Sequence, residues 1–201
     1  QTLGKNVKVY YQRDKNLFEA IIKGANEGLK MIAGIVALLI AVLGMVALVN
    51  LFLSILSSKV NALFGTNFEL SLEKILGFIF WPFTLILGIP LKEVGFVSKL
   101  IGERAILTEV VAYKDLAILL KNGLLSMRSA VIATYALCGF THLASIAIFV
   151  GGISSLVPKR TKDLTEVSFK AFLAATLACL LTACIAGIFF TENSSILLRA
   201  D

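Results

Sequence analysis

One long stretch of the chain, from Met31 to Ser58, carries no charged residue. An α-helix rises about 1.5 Å per residue, and about 20 apolar residues cross the hydrocarbon core of a bilayer. Hydrophobic residues make up 58% of the sequence and charged residues 16%, whereas soluble domains average about 45–50% and about 25%. A soluble domain of this size has too little interior for so much apolar surface. We therefore predict an all-α integral membrane protein.

The segment over 126–157 is largely apolar but has a polar centre. Gly139, Thr141, His142 and Ser145 lie close together there. Polar groups at membrane depth need partners, and glycine weakens a helix. The pattern predicts a transmembrane helix that is broken near its middle, of the kind that carries substrate sites in many secondary transporters.

The segment over 91–122 consists of two short apolar pieces with a polar centre between them. Neither piece is long enough to span a bilayer, and non-helical backbone is tolerated at depth only where protein or a cavity surrounds it. We predict a re-entrant helical hairpin. Glu109 lies in it, and the residues leave three roles open: a solvated carboxylate, a partner of Arg104, or a buried acceptor for hydroxyl donors or a cation.

The remaining segments complete a multi-pass arrangement. We expect a cytoplasmic loop and amphipathic lead-in over 1–30, a transmembrane helix over 31–58, an amphipathic helix over 68–90 and a final transmembrane helix over 166–191. The apolar face of the lead-in either lies at the membrane surface or continues directly into the first span. Trp81 suits an interfacial position for the 68–90 helix.

The net charge of +6 is explained by basic residues concentrated in residues 1–30 and 158–163. Lysine and arginine accumulate in cytoplasmic loops, so both regions are expected on the inner side of the membrane. The hairpin over 91–122 then opens to the outside. No basic stripe with interleaved exposed aromatic residues is present, so we expect no nucleic-acid partner.

The sequence contains no enzyme motif such as HExxH, a P-loop or GxSxG. A Ser–His intramembrane protease would have to use His142 and Ser145, but nothing resembles an oxyanion loop. We therefore expect no catalytic residue and no enzyme. Cys138, Cys179 and Cys184 lie in apolar runs without CxxC spacing, so we predict neither a disulfide nor a metal site.

Several runs of residues resemble the C-terminal half of the concentrative nucleoside transporter family. They are FWPFTLILGIP (80–90), TEVVAY (108–113), ATYALCGF (133–140), SIAI (145–148), GGISSLVPKR (151–160) and TACIAGI (182–188). The resemblance implies a scaffold helix, an external amphipathic helix, a second re-entrant hairpin, a broken helix and a final helix, in that order. It also implies secondary active transport of nucleosides across the plasma membrane by a homotrimer, driven by sodium or protons.

The resemblance implies a substrate site as well. Glu109 falls on the family's hairpin glutamate that binds ribose hydroxyls, Phe140 on the phenylalanine that contacts the base, and Ser145 on a serine that holds the ribose. Charge-assisted hydrogen bonds of a carboxylate suit vicinal hydroxyls.

Two positions depart from the family pattern. Thr108 replaces an asparagine before the glutamate, and His142 replaces an asparagine that bonds the sugar. A neutral imidazole is larger and donates from one nitrogen only, so either the contact geometry or the specificity would change. One hypothesis is a pH-dependent transport rate that His142→Asn would remove.

The family's first hairpin and the broken helix that follows it, which supply most base contacts and the sodium site, are absent from these residues. The chain begins at Gln1 rather than Met, and we expect it to be part of a longer protein. Its expected partners are a nucleoside, the lipid bilayer and the N-terminal half. We expect no covalently bound cofactor and place the coupling-ion site outside this segment. The alternative is a truncated or non-transporting membrane assembly or interaction subunit.

Overall fold

The computed structural model describes residues 14–65 and 67–191. The first part of the expected lead-in, residues 1–13, lies outside the described residues. The described part contains no strand, and its elements are helical. They are α1 (Leu17–Phe64), α2 (Leu72–Ile86), α3 (Leu91–Ile106), α4 (Glu109–Lys121), α5 (Met127–Leu137), α6 (Leu143–Leu156), a 3₁₀ turn (Pro158–Arg160) and α7 (Thr161–Ile188).

Helix α1 joins the expected lead-in to the expected span without interruption. The Asn16 side chain caps its start by accepting from the Glu19 N–H at 2.8 Å. Gly65 ends it in a left-handed conformation with φ of 63°, which glycine adopts without a Cβ penalty. Its 48 residues extend about 72 Å at about 1.5 Å each. This exceeds the hydrocarbon thickness of about 30 Å, so the helix must project beyond the bilayer.

Two helical stretches of the described chain are long and apolar enough to cross a membrane, Leu17–Leu63 and Pro158–Ile188. In the most apolar window of the first, only 6% of the residues are buried by the rest of the chain. Apolar surface left uncovered to this extent is unfavourable in water and is matched by lipid.

Helices α3 and α4 form a hairpin whose tip consists of Leu107 and Thr108 alone. The hairpin packs against α2 and against α5, and α5 packs against α7. The hydrophobic core lies where these helices meet. Its most enclosed members are Val94, Val97, Leu100, Ile101, Ala112, Ile132, Ala133, Ala136, Leu137 and Ala183.

Glycines bring two pairs of helices into backbone contact. A Cβ on Gly102 of α3 would lie 2.6 Å from the backbone nitrogen of Gly77 and 2.8 Å from the carbonyl oxygen of Glu73, both on α2. A Cβ on Gly34 of α1 would lie 3.5 Å from the carbonyl oxygen of Gly151 on α6. Small residues at helix crossings allow this close approach, as in many membrane helix pairs.

The expected broken helix consists of α5 and α6, which are separated by residues 138–142. Both helices of the hairpin donate hydrogen bonds to this region, one into the break and one to α5 just before it. Arg104 donates from Nη2 to the carbonyl oxygen of Gly139 at 3.3 Å, and the Tyr113 hydroxyl donates to the carbonyl oxygen of Thr134 at 2.9 Å. A Cβ on Gly139 would collide with the Sγ atom of Cys179, so the conformation of the break depends on glycine.

Candidate functional site

The tip of the hairpin meets the break in the broken helix. Glu109 is the first residue of α4, and His142 is the N-cap of α6. The Glu109 Oε2 and His142 Nε2 atoms lie 3.0 Å apart, and neither atom has another hydrogen-bond partner among the described residues. The first turn of a helix carries bare N–H groups and a positive partial charge. The Glu109 carboxylate therefore belongs to the first turn of α4 and contacts the N-cap residue of α6.

The orientation of the His142 ring is set by a reciprocal cap at the start of α6. Its Nδ1 accepts from the backbone N–H of Ser145 at 3.0 Å, while the Ser145 hydroxyl accepts from the backbone N–H of His142 at 3.1 Å. A ring nitrogen that accepts a hydrogen bond carries no proton. The proton of a neutral imidazole is therefore on Nε2, the nitrogen that faces Glu109.

The Ser145 hydroxyl already makes most of its possible hydrogen bonds within the protein. It is 4% exposed, and besides accepting in the cap it donates to the carbonyl oxygen of His142 at 2.6 Å. A hydroxyl has one proton and two acceptor lone pairs, so one acceptor position remains. The predicted sugar contact of Ser145 would have to be one in which a ligand hydroxyl donates.

Phe140 presents an apolar surface beside the Glu109–His142 pair. Phe140 is 45% exposed, and its ring packs edge-to-face on His142 with a centroid distance of 4.8 Å. A cavity of about 200 Å³ lies between α6 and α7, smaller than the roughly 300–1,000 Å³ of small-molecule sites. Phe140, Thr141 and Ser145 line it together with Phe149 and Phe172. Glu109 and His142 are not in its lining, so this cavity does not include the Glu109–His142 pair.

The sequence left open an ion pair between Glu109 and Arg104, and the structure does not show one. Its side chain is fully buried and holds the carbonyl oxygen of Gly139, while its Nε and Nη1 atoms have no partner in the described part of the chain. A buried cation is costly unless it is compensated. The signal that the sequence offered for this role was an arginine in the last turn of α3, next to the apolar residues that lead to the hairpin tip.

Thr108 occupies the N-cap position of α4 with an extended backbone, and its side chain makes no capping hydrogen bond. The Thr108 hydroxyl therefore makes no hydrogen bond to the N–H groups at the start of α4. The structure thus places Thr108 beside Glu109, and it brings Glu109, Phe140, His142 and Ser145 to the junction between the hairpin and the broken helix.

Two variants of His142 distinguish its role as the N-cap of α6 from the contact that its ring makes with Glu109. His142→Ala removes both, whereas asparagine in His142→Asn is a good N-cap residue. We expect the alanine variant to be less stable than the asparagine variant by about 0.5–2 kcal/mol, the usual cost of losing an N-cap. Thermal unfolding of both variants in the same lipid or detergent would measure this, and equal stabilities would show that the cap contributes nothing.

Comparisons with known proteins show which family the chain resembles. Residues 2–187 match the family model described as the C-terminus of Na+ dependent nucleoside transporters. The chain is 38% identical over 200 residues to mouse solute carrier family 28 member 3, which covers 93% of this chain and 28% of that protein. It is 36% identical to the nucleoside permease NupC of Helicobacter pylori, over 96% of this chain and 46% of the permease.

The chain also resembles solved structures of CNTnw. A double variant of CNTnw in an outward-facing state superposes with a TM-score of 0.79 at 34% identity, over 92% of this chain and 45% of that one. CNTnw in an inward-facing substrate-bound state gives a TM-score of 0.64 over 92% of this chain and 44% of that one. The chain therefore spans less than half the length of these relatives, and its arrangement is closer to the outward-facing structure.

Proposed function

Because this chain belongs to the family of Na+-dependent nucleoside transporters, we propose that it forms the C-terminal half of a secondary transporter that carries nucleosides across a membrane. One observation carries the proposal. The hairpin tip and the helix break place the Glu109 carboxylate 3.0 Å from the imidazole of His142, at the point where two half-helices begin. Broken helices whose ends converge near a binding point are the arrangement in which many secondary transporters hold their substrates.

The four predicted site residues take different parts in this proposal. The Oε2 atom of Glu109 is buried against His142, while the side chain as a whole is 25% exposed. We assign the ribose hydroxyls to this carboxylate, which would bind them by charge-assisted hydrogen bonds. Phe140 offers its exposed face to the base. Ser145 contributes its one remaining acceptor position, and His142 contributes the Nε2 proton that it directs towards Glu109.

The coupling ion belongs to the same proposal. A rat relative, 34% identical over 93% of this chain and 30% of its own length, is named sodium/nucleoside cotransporter 1, and this favours sodium over protons. We place the sodium site in the half of the transporter that these residues do not include. We also propose that the complete protein is a homotrimer in the plasma membrane, where the bare apolar surface of α1 would contact lipid or neighbouring copies.

Uptake of labelled uridine and adenosine by vesicles containing the complete protein tests the proposal. Saturable uptake that requires a sodium gradient is the expected result, and uptake that follows a proton gradient instead would correct the coupling ion. The 201-residue chain alone is expected to insert without transporting. A complete protein that inserts and folds but takes up neither nucleoside would favour the non-transporting assembly subunit.

A further inference from the structure

A continuous apolar groove runs between α6 and α7. Its inner part is the cavity of about 200 Å³ beside Phe140 and Ser145. Its outer part is a second cavity of about 490 Å³, which ends at Arg160 and Asp163. The two cavities are joined, because both are lined by Phe149, Val150, Ser168 and Ala171. The groove therefore leads from the helix break to the turn that precedes α7.

The groove is present because α7 turns small side chains towards α6. Ser168, Ala171 and Ala175 line it, and at 3.6 residues per turn they fall on one face of the helix. The opposite wall is formed by larger apolar residues, Phe149, Val150, Ile153 and Val157. Small residues on one side leave a slot along the helix pair that neither helix fills.

The length of the groove corresponds to one leaflet of a bilayer. The stretch of α6 from Ser145 to Leu156 extends about 17 Å at about 1.5 Å per residue, and half of the hydrocarbon core is about 15 Å thick. Broken transmembrane helices have their breaks near the midplane. A chain that enters at the turn before α7 would therefore reach the break at the depth where a leaflet ends.

The outer end of the groove is basic. Residues 158–163 contain Lys159, Arg160 and Lys162 against one acid, Asp163. The Asp163 carboxylate is already paired, since its Oδ2 lies 2.7 Å from Nη1 of Arg160. Lys159 and Lys162 are exposed, and neither forms an ion pair within the described part of the chain. Two positive charges are therefore free at the mouth of the groove.

We propose that this groove binds an anionic phospholipid of the inner leaflet. The phosphate headgroup lies against Lys159 and Lys162, one acyl chain lies between α6 and α7, and the end of that chain contacts Phe140. The next charges along α7, Glu166 and Lys170, balance each other, so the attraction is confined to this turn. Basic loops are concentrated on the cytoplasmic side of membranes, where anionic lipids also accumulate.

An acyl chain fits the groove better than a segment of protein does. An α-helix is about 10 Å across, so a helix of the same length occupies roughly 1,300 Å³. The two cavities measure about 200 and about 490 Å³, and a helix could enter only if α6 and α7 separated. An extended segment would leave most of its N–H and C=O groups without partners on the apolar walls. A hydrocarbon chain has no such groups.

The headgroup supplies the selectivity of this site. Lipid tails are as apolar as the groove, so an acyl chain gains little hydrophobic free energy by leaving the bilayer. Each lysine near an anionic lipid surface strengthens binding about 5-fold, and two lysines roughly 10- to 30-fold. The bound chain also contacts Phe140 and thereby bears on nucleoside binding. That consequence rests on the proposed transport function, whereas the lipid site does not.

Photolabelling of the complete protein tests the site. The protein is placed in phosphatidylcholine vesicles that contain a trace of phosphatidylglycerol with a diazirine at the end of one acyl chain. After irradiation, mass spectrometry of the peptides should find label on the walls of the groove at Phe149, Ala171 and Phe172. Unlabelled phosphatidylglycerol should compete for these positions far better than added phosphatidylcholine. Label on the exposed apolar face of α1 serves as the reference for ordinary boundary lipid and should show no headgroup preference.

Two variants separate the headgroup contact from the groove. The double variant Lys159→Gln/Lys162→Gln should weaken competition by phosphatidylglycerol roughly 10- to 30-fold. Its matched control is Lys114→Gln/Lys121→Gln, which removes two exposed lysines from α4 and should change nothing. Ala171→Leu narrows the part shared by both cavities and keeps a good helix former. This variant should lose label on Phe149 while the label on α1 remains.

Three results would overturn the proposal. Equal competition by both lipids at the groove would show boundary lipid only. A folded protein with label on α1 but none in the groove would show that another part of the protein, or a second copy, covers it. Unchanged competition in Lys159→Gln/Lys162→Gln would remove the headgroup contact. Labelling does not depend on uptake, so the expected pattern in a protein that takes up no nucleoside would leave the lipid site standing while the transport function fails.

Discussion

Glu109→Gln is expected to raise the KM for nucleoside uptake by the complete transporter without unfolding it. Glutamine keeps the shape of the side chain but not the charge that makes its hydrogen bonds to hydroxyls strong. Hydrogen bonds to a charged group contribute about 1.5–3 kcal/mol, so the expected increase is roughly 10- to 150-fold. The contact of the carboxylate with His142 at 3.0 Å is weakened by the same change. Concentration-dependent uptake of labelled uridine would measure the effect.

Glu69→Gln is the matched control for this variant. The Glu69 side chain is 87% exposed, and its ion pair with Lys74 is on the surface, where such pairs contribute little. The same chemical change there should leave the KM unchanged. An unchanged KM in Glu109→Gln as well would remove Glu109 from the substrate site and with it the main support for the proposed site.

Gly102→Ala is expected to lower the free energy of unfolding by about 1–3 kcal/mol, the usual cost of overpacking a tight contact. The new methyl group would lie 2.6 Å from the backbone nitrogen of Gly77 and 2.8 Å from the carbonyl oxygen of Glu73. Backbone atoms within a helix cannot turn aside as a flexible side chain can. Helices α2 and α3 would have to separate, and α3 carries Arg104 and the first half of the hairpin.

Gly95→Ala on the same helix separates this clash from helix propensity. A Cβ at Gly95 meets nothing within 4 Å, and alanine favours a helix over glycine by about 1 kcal/mol. This variant should therefore be as stable as the wild type or more stable, as measured by thermal unfolding in the same lipid. A Gly102→Ala protein as stable as Gly95→Ala would contradict the close packing of α2 on α3.

Much of the architecture could be predicted from the sequence, because it depends on local patterns. The helical membrane fold is confirmed by the likeness to CNTnw, and the uncharged stretch from Met31 to Ser58 lies within α1, one of the two described helices long and apolar enough to cross a membrane. The sequence left open whether the lead-in lies on the membrane surface, and the structure has it continuous with the span in α1. Helix α7 begins at Thr161, earlier than the predicted boundary at 166, since its first turns are polar and carry no hydrophobic signal.

The site was only partly predictable. Motif resemblance identified Glu109, Phe140, His142 and Ser145, and their roles towards a nucleoside remain predictions. That His142 caps α6 through Ser145 does not follow from a histidine at a polar position, because the same residue could equally face a cavity. The burial of Arg104 also depends on which way α3 turns.

Charge and hydrophobicity along the chain determined the fold class, the helices and the presence of a break, because these properties act between residues that are close in sequence. The tertiary structure alone decided which polar groups meet. The contact of Glu109 with His142 and the hydrogen bond from Arg104 to Gly139 join residues that are far apart in the sequence. Such contacts depend on the angle and depth at which the hairpin packs, and these are set by the glycine contacts with α2 and by the bond from Arg104 to the break.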